Sequence, residues 1–211
     1  MDPVIGDRVV VRYRLGADAP ADWRPAPNPA LEHEPSQSDL TGILRGRTDD
    51  AVLIDRVGTT ESVPTAAITS IRPLSRHVVR NADIRRVQSG LQEAVEADDR
   101  GEVDGWSLTA TPGSADPHAN AAIPSRFGAG ATALPAIADW FSAHGTTGHL
   151  IVPDRLLREA GVSGGTEYEV LTGPDGARIV AGDHRATRER LRDQGFELHH
   201  CFRLIPLSPT V

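Results

Sequence analysis

Five prolines, at positions 20, 25, 27, 29 and 35, punctuate the stretch from Gly16 to Ser38. Proline fixes φ, removes an N–H donor and breaks helices and interior strands, so this stretch reads as one long loop. Everything before it is confined to a single element. Val4–Leu15, with Gly6-Asp7 as a turn and Val9-Val10-Val11 as a β-branched run, predicts a strand. Further strands are expected at 40–47, 51–57 and 61–64, divided by the turns Thr48-Asp49-Asp50 and Gly58-Thr59-Thr60, and 66–72 closes the series. Five short strands with hairpin turns and one long early loop predict a small β-barrel. Acidic residues slightly outnumber arginines in it and aromatics are few, which favours a docking or regulatory module over a ligand-binding barrel.

The pattern changes beyond His77. Asn81 or Asp83 can cap a helix running through Val87, Leu91 and Val95, which share one face. Strands are expected at Trp106–Thr111, Ala119–Pro124 and His149–Pro153. Between the last two, Thr132–Ala143 reads as a helix that tolerates Pro135 in its first turn. Asp154 caps a helix over 155–160 that Gly161 ends, and 167–171 and 177–181 flank the turn Gly173-Pro174-Asp175-Gly176. A helix from His184 to Asp193 stops at Gly195, and 196–204 supplies the last strand. The expected fold class is α+β, with a barrel over residues 1–77 and a mixed, largely antiparallel α/β domain over 78–211.

Composition removes several functions. All 22 basic residues are arginine, so no lysine can form a Schiff base or sit in a phosphate loop. A net charge of -7 and 4% aromatic content argue against a broad nucleic-acid interface or a base-stacking platform. Cys201 is the single cysteine, which excludes an internal disulfide framework and suits a reducing compartment. The apolar runs are only a few residues long and Met1-Asp2-Pro3 opens no secretory signal, so a soluble, cytoplasmic protein with no membrane partner is expected.

Several segments carry a resemblance. Gly105–Thr111, Ala119–Pro124 and Ala138-Asp139-Trp140-Phe141 through Gly145 resemble, in that order, the segment before the acetyl-CoA site of actinobacterial GNAT-family N-acetyltransferases with an N-terminal SH3-like domain. Val4–Tyr13 resembles the start of that SH3-like domain, and Leu191–His200 the closing helix-to-strand piece of the GNAT domain. The resemblance implies an SH3-like barrel followed by a GNAT-like domain that uses acetyl-CoA. It breaks in the middle. The family's pyrophosphate loop, Gln/Arg-x-x-Gly-x-Gly/Ala at a helix start, has no room between Leu171 and His184. Two imperfect substitutes exist. In Ser125–Gly130, the residues Gly128, Ala129 and Gly130 are the candidate cofactor-binding set, though Ser125 replaces Gln/Arg; Arg158–Ser163 ends a helix instead of starting one. Where many relatives carry a tyrosine that protonates the CoA thiolate, this chain has Leu191, and Gly182-Asp183-His184 replaces the usual asparagine.

The expectation is therefore a catalytically incomplete GNAT-like protein, with no catalytic residue assigned, acting as a binding, regulatory or oligomerising partner. A second copy or a complete acetyltransferase would cover the sheet edges left by the shortened core. No cofactor is expected unless the chain is active, in which case it is acetyl-CoA held at Gly128–Gly130. A third reading is a small-barrel nucleic-acid binder using Arg8, Arg12, Arg14, Arg45 and Arg47. His199-His200-Cys201 invites a metal reading, but adjacent strand residues point to opposite faces and no spaced partner motif exists, so no metal site is expected. His144 and His149 flank a polar turn and could approach one another. Glu93, Glu96, Asp98 and Asp99 read as a solvated helix end, with Arg85, Arg86, Arg188, Arg190 and Arg192 as surface charge able to pair with them.

Overall fold

A computed structural model describes residues 2–15, 37–157 and 164–207. Most of the proline-rich loop and the candidate loop Arg158–Ser163 lie outside these residues. The chain divides into two compact units, Met1–Arg76 with Arg185–Glu189, and His77–His184 with Arg190–Val211. Among the described residues there are three α-helices and twelve strands, a mixed α+β, sheet-rich architecture. None of these helices is long and apolar enough to cross a membrane.

The first unit is an antiparallel sheet of β1 (Arg8–Arg14), β2 (Gln37–Arg47), β3 (Ala51–Arg56), β4 (Thr59–Pro64) and β5 (Ile68–Leu74). Their order is β4-β3-β2-β1-β5. Alternation along β1 turns Val9, Val11 and Tyr13 inward, where Leu40, Leu44, Ile54 and Val63 complete the core. The expected barrel is not closed: among the described residues β4 pairs only with β3 and β5 only with β1. Strand β2 begins at Gln37, so the loop expected to reach Ser38 ends earlier, with Ser38 opposite Tyr13. Gly42 lies where the strands pass closely; a Cβ there would come within 2.2 Å of the Asp55 carbonyl oxygen.

The second unit holds β6 (Asp99–Val103), β7 (Trp106–Ala110), β8 (Ala121–Pro124), β9 (His149–Pro153), β10 (Thr166–Gly173), β11 (Gly176–Ala181) and β12 (Glu197–Pro206). They form one sheet, ordered β11-β10-β12-β9-β8-β7-β6. Every neighbouring pair is antiparallel except β8 and β9. Helix α1 (Asn81–Glu93) packs Val87 and Leu91 on the face carrying Ala121, Ile123 and Ile151. Helix α2 (Leu134–Ala143) packs Ile137 and Phe141 on the other face, against Ala122, Leu150 and Val152. Strand alternation sends these neighbours to opposite sides.

Three expectations change here. Helix α1 stops at Glu93, short of Val95, and beside Val87 and Leu91, which pack on the sheet, its most buried residues are Ile84, Gln88 and Gln92. Arg100 explains the stop: its guanidinium binds the carbonyls of Gln92, Glu93 and Val95 at the helix end. Asp99, read as part of a helix end, opens β6. Asp104 and Gly105 then make a hairpin turn with φ of 43° and 83°, the conformation that Asp-Gly favours. At Asp154, residues 154–156 form a turn, Leu157 is irregular, and the rest of the expected helix lies outside the described residues.

Candidate functional site

The loop proposed to hold a cofactor begins where β8 ends. Strands β8 and β9 are joined through a short 3-10 turn (Ala131–Ala133) and α2, a parallel crossover. They pair only at Ala121–His149 and Ala122–Leu150, although β8 runs to Pro124 and β9 to Pro153, so the strands part toward their C-terminal ends. In open α/β sheets, that end of parallel strands is where ligands are commonly received.

The loop is built around one carbonyl. The N–H groups of Ser125 and Arg126 both donate to the oxygen of Gly105 at 3.0 Å, and Ser125 Oγ donates to it as well. Arg126 clasps Glu102 with two bonds, Nε to Oε1 at 2.6 Å and Nη2 to Oε2 at 2.9 Å. The Ala129 N–H turns back to the Arg126 carbonyl, and the Gly130 carbonyl accepts from Trp106 Nε1 at 3.1 Å. Gly128 adopts φ of +93°, which a side chain would strain, and Phe127 beside it is 95% exposed. Gly128, Ala129 and Gly130 are thus together, at the start of a helical stretch, in a turn pinned to the β6–β7 hairpin. A pyrophosphate cradle needs convergent N–H donors and a free cation. Here the Ser125, Arg126 and Ala129 donors are bonded within the protein and the Arg126 guanidinium holds Glu102.

Leu191 sits on α3 (Arg185–Asp193), 8% exposed, in a cluster with Leu171, Val180, Phe196 and Leu198. It anchors the helix to the sheet and has no proton to give.

The histidine pair corrects the opposite-face expectation. Leu171 pairs with Leu198 and Val170 with His200, leaving His199 as an extra residue in β12. Such a bulge abolishes strict alternation. It brings His199 Nδ1 and His200 Nδ1 to 2.7 Å, while His200 Nε2 meets Gln88 Nε2 at 2.9 Å. Burial, and secondarily the neighbouring His199, push the His200 pKa down to about 3; burial lowers that of His199 too. The rings are therefore neutral near pH 7. Among the described residues, no three His, Cys, Asp or Glu side chains gather as a metal site. His144 stacks on Trp140 and its Nδ1 meets the Trp140 carbonyl oxygen at 2.7 Å, whereas His149 Nδ1 is sealed without a hydrogen-bond partner.

The arginines are engaged. Arg12 holds Asp39 with two bonds, Arg45 holds Asp55 and Arg47 holds Asp2; Arg8 and Arg14 donate to the carbonyls of Ser75 and Ala66. Hydrogen bonding to Arg12 lowers the Asp39 pKa, and hydrogen bonds from Thr60 and Arg45 lower that of Asp55. Arg188, expected at the surface, is buried within the first unit: it is 3% exposed and pairs with Asp7, 1% exposed, at 3.3 Å. Charge patterning missed it because a partner 181 residues away leaves no local signal.

In class, the chain is similar to proteins described as acetyltransferases. Residues 81–184 match the family described as "Probable histone acetyltransferase Rv0428c C-terminal". The chain is 29% identical over 188 residues to the "Probable histone acetyltransferase Rv0428c" of Mycobacterium tuberculosis strain H37Rv, an actinobacterial relative. That alignment covers 86% of this chain and 57% of the relative, so the chain spans little more than half the relative's length. No solved structure matches the chain.

Proposed function

We propose that this protein is a shortened GNAT-like acetyltransferase relative, preceded by an SH3-like module, that works by binding and not by acetyl transfer. The observation that carries the proposal is the pinned loop: at the C-terminal end of β8, the backbone donors of Ser125, Arg126 and Ala129 are turned inward. Leu191, packed into an apolar cluster, adds that no acid stands at the position the resemblance assigns to one. The SH3-like reading is supported by the antiparallel order β4-β3-β2-β1-β5, in which the last strand returns to the first. A boundary near residue 77 is supported by the division of the chain between Arg76 and His77. The partner is a second copy of this chain or a complete acetyltransferase, in a reducing, cytoplasmic setting.

Calorimetric titration of the full chain with acetyl-CoA and with CoA tests this. No heat and an unchanged melting temperature are expected, because a ligand that binds the native state raises that temperature. Micromolar binding, abolished by Gly128→Val and Gly130→Val, would overturn it in favour of an active N-acetyltransferase with an atypical loop.

A further inference from the structure

A cavity of about 150 Å³ lies between α1 and the sheet face that α1 covers. Leu91, Ile123, Ile151 and Ile179 give it an apolar wall. It sits where the parallel strands part, because Ile123 and Ile151 each lie one position beyond the last paired residues, Ala122 and Leu150. An apolar cavity of this size admits a benzene-sized molecule.

Its polar wall is one-sided. Gln92 Nε2 donates to the carbonyls of Ser107 and Ala121, both at 3.1 Å, and to Thr109 Oγ1 at 3.4 Å. Carbonyl oxygens only accept, so the nitrogen of this amide is fixed and Oε1 must face the other way. Gln88 commits its Nε2 to His200. Neither Oε1 accepts a hydrogen bond from the described residues. Both side chains line the cavity and both residues are buried, 3% and 6% exposed, yet neither oxygen is among the sealed polar atoms. His118, also on the wall, has Nδ1 against Asp116 Oδ1 at 3.2 Å. A carboxylate only accepts, so that nitrogen carries a proton, and Nε2 has no hydrogen-bond partner among the described residues.

We infer that this cavity is a binding site for a small aliphatic molecule bearing one N–H or O–H donor group. The apolar wall takes the body, and the Gln88 and Gln92 carbonyl oxygens take the donor. A molecule offering only acceptors meets acceptors and leaves them unpaired, which is the costly arrangement. The site is separate from the Gly128–Gly130 loop and stands whether or not the chain binds acetyl-CoA.

The test is a nuclear magnetic resonance titration of the ¹⁵N-labelled full chain with 3-methylbutan-1-ol, 3-methylbutylamine and the methyl ether of that alcohol. The alcohol and the amine are expected to shift the Gln88 and Gln92 side-chain amide signals saturably, and the ether to bind about tenfold more weakly for want of a donor. Ile179→Trp should fill the cavity and remove the shifts. Gln88→Met keeps the side-chain bulk and should weaken the alcohol while leaving the ether's affinity unchanged, which keeps the test decisive if the tryptophan variant fails to fold. Equal affinity for ether and alcohol, shifts centred elsewhere, or no saturable shift would each overturn the inference.

Discussion

His200 shows how one inserted residue changes the chemistry of its neighbours. Without the bulge, the two imidazoles would face opposite sides of β12; with it they touch, and Gln88 closes the array from α1. His200 is held neutral by burial, with its pKa near 3, while Asp83 and Arg86 act in opposite directions on His199. The folded state therefore binds fewer protons than the unfolded state between about pH 3 and the ordinary histidine value near 6.5. Stability from this group is complete above that upper value and lost as pH falls, with a limiting slope of about 1.4 kcal/mol per pH unit. Urea unfolding at about pH 7, 6 and 5, one unit apart to sample this slope, should show the decline, and His200→Gln should flatten it. Parallel declines in the two proteins would refute the assignment.

At the scale of elements, α3 depends on one apolar anchor. Its sequence, Arg185-Ala186-Thr187-Arg188-Glu189-Arg190-Leu191-Arg192-Asp193, is polar apart from Ala186 and Leu191, and Leu191 is the residue that joins the sheet cluster. Leu191→Ala should cost about 2–5 kcal/mol, the range for truncating a buried leucine, and Leu191→Met less than about 1.5 kcal/mol. Denaturant unfolding of both variants checks this; equal losses would mean that the site relaxes and the leucine is not the anchor. The β6–β7 hairpin has the corresponding role for the loop after β8. Its Asp104-Gly105 turn presents the carbonyl that gathers Ser125 and Arg126. The dipeptide was the signal from which β6 could have been read, because Asp-Gly between short extended runs marks a tight hairpin.

For the whole molecule, charge opposes the binding of a polyanion by the first unit. A net charge of -7 repels a polyanion in general, and the five arginines a nucleic-acid reading requires are each already bonded, three of them to carboxylates. Freeing them would forfeit those bonds before a phosphate was reached. A gel-shift titration at low and at physiological salt should show no retention of duplex or single-stranded nucleic acid. Salt-dependent retention would restore the small-barrel binding reading.

What the sequence determined by itself is local: the early strand of Val9 and Val11, the turns at Gly6-Asp7 and Gly173–Gly176, and the helix ending before Gly195. These follow from backbone preference and side-chain alternation, which operate over a few residues. The tertiary structure alone decided the parallel pairing of β8 with β9, the open edges of the five-stranded sheet, the pinning of Ser125–Gly130 and the burial of Arg188 with Asp7. It also made a wall of hydrogen-bond acceptors from Gln88 and Gln92, residues that a search for apolar periodicity passes over. Each of these depends on partners far apart in the chain, and a spacing rule carries no information about which distant group arrives to accept a proton or share a charge.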